Sequence, residues 1–102
     1  MDKRTARLVQ QLREFKQRNK ISKLYLFGSA ASGKTRTSSD VDLLVVAKRF
    51  RGKGLLERAP SLYMDWDLEY PVDFLCYAPE EFNKLRKQIT IVKEAVERGI
   101  EI

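Results

Sequence analysis

Residues 28–46 read GSAASGKTRTSSDVDLLVV, and two incompatible motifs share the first glycine. From Gly28 to Thr35 the string fits G-x-x-x-x-G-K-[ST] at every fixed position. In that P-loop pattern backbone N–H groups cradle phosphates and the lysine, here Lys34, reaches the β/γ-phosphates. From Gly28 to Asp42 the same string reads Gly-Ser, ten residues, then Asp-x-Asp opening an apolar run. The two motifs require different folds, because the first needs a helix where the second needs only a turn.

The spacing argues against the first. A P-loop leads from about Gly33 into a long helix that crosses over to a parallel strand, which takes at least ~10–12 residues. Only Arg36, Thr37, Ser38 and Ser39 separate Thr35 from Asp40, and Ser and Thr are poor helix-interior residues. A P-loop enzyme also holds Mg²⁺ partly through an aspartate that follows an apolar strand. Here the carboxylates precede the strand, and the run ends in Ala47-Lys48-Arg49.

The second motif has a consistent chemistry. Side chains alternate along a strand, so Asp40 and Asp42 emerge on one face about 6.6–7 Å apart at Cα, opposite Val41, Leu43 and Val45. Such a pair can clamp one divalent ion and share a second, because paired catalytic metals lie ~3.5–4 Å apart. A bare pair in an apolar strand would repel itself and lose solvation, which a bound cation relieves. An isolated Asp-x-Asp is more often a cap or a solvated strand end, so neighbouring residues carry weight. Gly28 and Ser29 directly follow a strand, where backbone N–H groups and a hydroxyl can meet phosphate oxygens. Asp73 lies inside a third strand between Val72 and Phe74, where a charge calls for a partner. If that strand neighbours the second, Asp73 completes a three-carboxylate site of the all-oxygen kind that suits Mg²⁺. A second Asp-x-Asp, Asp65-Trp66-Asp67, is followed by LEYP and no apolar strand. It reads as a solvated acidic patch touching a basic neighbour.

The rest of the chain fits one α/β domain over residues 1–102. Leu8, Val9, Leu12 and Phe15 recur at helical spacing between Asp2 and about Asn19. Strands are expected at 21–27, 40–47 and 72–77, the middle one buried on both faces. Residues 54–68 read as an imperfect helix interrupted by Pro60. Pro79 starts a helix with Glu80 and Glu81 in its first turn, and a last helix from about Thr90 to Arg98 ends at Gly99 as a C-cap. The predicted architecture is a mixed sheet of three or more strands flanked by helices.

Composition narrows the chemistry. With no histidine and one cysteine, neither Ser-His-Asp or Cys-His catalysis nor a His- or Cys-ligated zinc is available. Catalysis would rest on carboxylates, hydroxyls, lysines or arginines with a hard metal ion. Twenty Lys and Arg against fourteen Asp and Glu give a net charge of +6, which favours polyanionic partners such as nucleotides or nucleic acid. The basic loop Lys48–Lys53 is expected to be solvated, or to attract a triphosphate or an acidic partner face. No apolar run approaches the ~20 residues that span a membrane, so no membrane partner is expected. Cys76 reads as a small buried hydrophobe, and a lone cysteine with no secretory signal suits the cytoplasm.

The strings LYLFGS…SDVDLLVV, PVDFLCYAPEEF and EAVERGIEI resemble the minimal nucleotidyltransferase family of the DNA polymerase β superfamily. In particular they resemble the antitoxin members paired with HEPN-domain toxins, and the resemblance runs from about residue 22 to the C-terminus. It implies that Gly28 and Ser29, with Gly33 and Lys34 nearby, bind the triphosphate of ATP. Asp40, Asp42 and Asp73 would hold two Mg²⁺ ions and carry catalysis, with Asp73 a candidate general base. The implied reaction is transfer of AMP to a hydroxyl, a tyrosine of a HEPN toxin; contact-only neutralisation and action on RNA ends are the alternatives. The family commonly carries an arginine or two just after the serine. Here those positions are Ala30, Ala31 and Ser32, leaving Lys34 or Arg36 as substitute cations.

Overall fold

The computed structural model describes residues 3–31 and 40–102. The chain runs α1 (Lys3–Arg18), β1 (Lys23–Phe27), a 3₁₀ turn (Gly28–Ala30), β2 (Val41–Val46) and a second 3₁₀ turn (Lys48–Phe50). It continues through α2 (Leu55–Arg58), α3 (Pro60–Asp65), β3 (Val72–Tyr77), α4 (Pro79–Leu85), α5 (Ile91–Arg98) and β4 (Ile100–Glu101). The four strands form one mixed sheet in the order β3-β2-β1-β4. β1 is antiparallel to β2 and to β4, whereas β2 and β3 are parallel.

The antiparallel β1–β2 pairing settles the choice between the two motifs. A P-loop links its strand through a helix to a parallel neighbour, but here β2 lies antiparallel beside β1, with Phe27 opposite Asp42. Gly33 and Lys34 fall outside the described residues.

The sheet is the middle of three layers. Val41, Leu43 and Val45 face one way with Leu24 and Leu26, against Leu8, Leu12 and Phe15 of α1 and Leu62 of α3. Leu44 and Val46 face the other way with Tyr25, against Phe82 of α4 and Val92 and Ala95 of α5. β2 is therefore apolar on both faces, as expected for a strand covered by helices on each side. A cluster of Phe15, Trp66, Phe74 and Tyr63 ties α1 and α3 to β3, with ring centroids 4.9–5.8 Å apart.

Local chemistry explains the helix ends. Thr90 caps α5 by accepting the Lys93 N–H at 3.2 Å. Pro79 opens α4, and the Glu81 carboxylate reaches back to the Ala78 N–H at 2.7 Å. Gly99 caps α5 with extended backbone and not in the left-handed conformation expected of a glycine cap. Glycine is required there by close approach, since a Cβ would lie 2.7 Å from the Leu26 carbonyl oxygen. That approach lets the chain enter β4 beside Leu26, a strand too short for sequence periodicity to reveal. Of the expected helix over 54–68, α2 and α3 form with Ala59 helical between them, and Trp66–Leu68 lie outside both.

Candidate active site

Two strands and one turn bring the acidic residues to one end of the sheet. Asp42 and Asp73 are direct partners in the parallel β2–β3 ladder, so their carboxylates share a face. By the same alternation this is the face of Leu44 and Val46, the α4–α5 side. Asp40 is exposed one residue before β2, and Asp42 is half-buried between Val41 and Leu43, both fully buried. Burial pushes the Asp42 carboxyl above the usual carboxylate range, and repulsion from Asp73 and then Asp40 adds to it.

Asp73 differs from its sequence reading in one respect. β3 is an edge strand, and Asp73 is exposed to water. Its charge therefore needs no protein partner to be tolerated. The register and the shared face, and not burial, associate it with Asp42.

Gly28 fits the site for two reasons. Its φ is +76°, a conformation that L side chains rarely adopt. A Cβ at Gly28 would also lie 3.3 Å from the Asp42 Cγ and collide with its Oδ2. The turn that starts at Gly28 is thus folded directly against the carboxylate. Ser29 is exposed in that turn, whereas Ala30 is fully buried. Ala30 is packed in the apolar core cluster at 0% exposure, so an arginine at this position would have to bury its guanidinium. A triphosphate here would need cations from other positions.

Among the described residues, no three acidic or thiol groups come together as a set that could hold a metal ion as they stand. The donor chemistry nonetheless fits a hard cation. Asp40, Asp42 and Asp73 lie at the same end of the β2–β3 pair, and burial first, then repulsion from Asp73 and Asp40, holds the Asp42 carboxyl above its usual range. Asp40 and Asp73 are both exposed, so their side chains have room to change rotamer.

The basic groups divide between the two ends of β2. The Lys48–Lys53 loop follows its C-terminal end, about 17 Å along the strand from Val41, so the expected attraction of a triphosphate to this loop does not fit. Within the loop, Phe50 is buried and Arg51 pairs with Glu80. At the carboxylate end, Lys3, Arg4 and Arg7 of α1 line a cavity of about 410 Å³ with Gln11 and residues Asp67–Tyr70. The next residue, Pro71, accepts the Val41 N–H at 2.8 Å, which fixes the cavity beside the mouth of β2. The basic composition of α1 was legible in sequence, but not which end of the sheet its first turns would reach.

The other acidic motif is structural. Asp65 accepts hydrogen bonds from Asn19 at 2.8 Å and Arg18 at 3.1 Å, as expected of an acidic patch touching a basic neighbour. Cys76 is buried, and burial raises its thiol to about 11.

A mixed sheet with paired aspartates on adjacent parallel strands, beside a Gly-Ser turn leaving the antiparallel neighbour, is the architecture of a nucleotidyltransferase fold. A crystal structure of a candidate nucleotidyltransferase from Sulfolobus solfataricus is similar, with a TM-score of 0.61 over 78% of this chain and 75% of that one at 21% identity. A search of curated proteins found no match. The family described as the nucleotidyltransferase domain matches residues 8–98, and the chain belongs to that family.

Proposed function

We propose that the protein transfers AMP from ATP to a hydroxyl of a partner protein. The observation that carries this reading is the pairing of Asp42 with Asp73 beside the Gly28–Ser29 turn. In the transfer, the acceptor oxygen attacks the α-phosphorus, the bond between that phosphorus and the β-bridging oxygen breaks, and pyrophosphate leaves. The acceptor proton passes to the Asp73 carboxylate, which is exposed and can reach an incoming group. Backbone N–H groups of the Gly28 turn and the Ser29 hydroxyl orient the phosphates. Asp40, Asp42 and Asp73 would hold Mg²⁺, which when bound neutralises the triphosphate and lowers the pKa of the attacking hydroxyl.

The resemblance to antitoxin members of the minimal nucleotidyltransferase family supports a HEPN-domain toxin as the partner and a tyrosine as the acceptor, in the cytoplasm. The protein would then be the antitoxin of the pair. Intact mass measurement of a HEPN-domain protein from the same genome, after incubation with ATP and Mg²⁺, tests this. A gain of one AMP that disappears with Asp42→Asn is the expected result. A second reading, neutralisation by contact alone, draws on the buried Ala30 in place of a phosphate-binding arginine. Undiminished neutralisation by Asp42→Asn protein, with the partner unmodified, would favour it.

A further inference from the structure

The α2–α3 segment is apolar on the side that faces water. Leu56 is 93% exposed, Met64 89%, Leu55 72% and Tyr63 47%. Ala59 joins the two helices with helical backbone (φ −85°, ψ −26°), and its carbonyl accepts the Leu62 and Tyr63 N–H groups at 2.9 and 3.1 Å. The segment therefore keeps helical phase across Pro60, and Leu56, Pro60, Tyr63 and Met64 fall at i, i+4, i+7 and i+8 on one stripe. The opposite side carries Arg58, Ala59 and Leu62, which face the protein. A helix apolar on both sides is ordinarily buried on both, and contiguous exposed apolar surface marks an interaction site. Tyr63 is also held in place, its ring edge-on to Phe74 at 4.9 Å, and a tyrosine ordered before binding is a good interface anchor.

Charge selects the occupant. The segment is preceded by the loop bearing Lys48, Arg49, Arg51 and Lys53, in which Lys48 and Lys53 are exposed. A second copy of this chain would bring two such loops together on a protein of net charge +6, which opposes self-association. We infer that the Leu56–Met64 stripe docks into an apolar groove edged with Asp and Glu on a partner protein, as an amphipathic helix lies in a groove. This rests on the partner reading above, because the occupant is the protein that supplies the acceptor hydroxyl.

The test measures binding and transfer separately, with a HEPN-domain protein from the same genome. Leu56→Lys/Met64→Lys alters two side chains that touch little of the fold, so its melting temperature should match wild type. It should bind the partner at least about tenfold more weakly. Lys48→Glu/Lys53→Glu should slow association severalfold and flatten its salt dependence. Asp42→Asn should bind like wild type and transfer nothing. A complex that forms with wild type but is unaffected by Leu56→Lys/Met64→Lys would overturn the surface and leave the proposed function standing. Association insensitive to the charge reversal would overturn the acidic rim. A wild-type homodimer that the Leu56→Lys/Met64→Lys variant dissociates would make the occupant a second copy. No wild-type complex at all would overturn the partner reading and the docking surface together.

Discussion

Asp-x-Asp occurs twice in this chain, and the two copies meet opposite fates. Asp65 sits at the end of α3, where hydrogen bonds from Asn19 and Arg18 hold its carboxyl below the usual range. Asp42 sits in the central strand, where burial and two further carboxylates push its own above that range. The three-letter pattern is the same, and the difference lies in what surrounds it. A carboxylate satisfied by cations and amides is already doing a structural job. One placed among other carboxylates is electrostatically incomplete until a cation arrives.

The contrast is broken most severely at Asp42. Asp42→Asn should lower nucleotidyl transfer by roughly 10³-fold or more, about 4 kcal/mol of barrier. Its melting temperature should be unchanged or raised, since the substitution removes repulsion. A calorimetric scan beside the transfer assay separates the two effects; lost activity accompanied by a large fall in melting temperature would mean a structural role. Gly28→Ala comes next. It forces a side chain into left-handed backbone and against Asp42, so transfer should fall roughly 10²-fold and stability by ~1–2 kcal/mol.

Glu81 sharpens the structural side of the comparison. Its carboxylate takes both arms of the buried Arg58 fork at 2.6 and 3.2 Å as well as the Ala78 N–H. Arg58 also donates to the Lys53 and Cys76 carbonyls. Arg58→Ala should therefore cost about 2–3 kcal/mol in denaturant unfolding. The Glu81 carboxyl is held below its ordinary 4.5, chiefly by Arg58. Its contribution is complete above that value and is lost as pH falls through the lowered one. The stability gap between wild type and Glu81→Gln should close on that acid side and stay constant at neutral pH. Asp65→Asn is the mildest change. It should cost under ~1 kcal/mol, because the pair is half in water, and leave transfer unaltered. Loss of transfer in that variant would mean that the two motifs had been assigned the wrong roles.

Much of this arrangement was legible in the sequence. Helical periodicity at Leu8, Leu12 and Phe15, the apolar runs at 23–27, 41–46 and 72–77, and Pro79 each identify an element with little competition from tertiary context. The Gly28-to-Asp42 spacing separates a short turn from a crossover helix, and the antiparallel β1–β2 pair agrees with the turn. Features that depend on the relation between elements were not legible. β4 exists because Gly99 lets the chain close on Leu26, a contact between distant residues. Asp73 looks buried by its neighbours Val72 and Phe74, and only the edge position of β3 exposes it. Sequence alone does not say which end of the sheet the basic Lys48–Lys53 loop reaches; strand direction sends it away from the carboxylates. The outward stripe of α2–α3 was hidden because Pro60 made the segment look broken.

The central claim is that Asp42 and its neighbours act on the α-phosphorus of a nucleotide. ATP labelled separately in its α- and γ-phosphates, incubated with Mg²⁺, the protein and a HEPN-domain partner, tests it most directly. The α-label should appear on the partner and the γ-label in pyrophosphate, with both signals lost in Asp42→Asn. Release of the γ-label as inorganic phosphate, or α-label transfer that persists undiminished in Asp42→Asn, would contradict it.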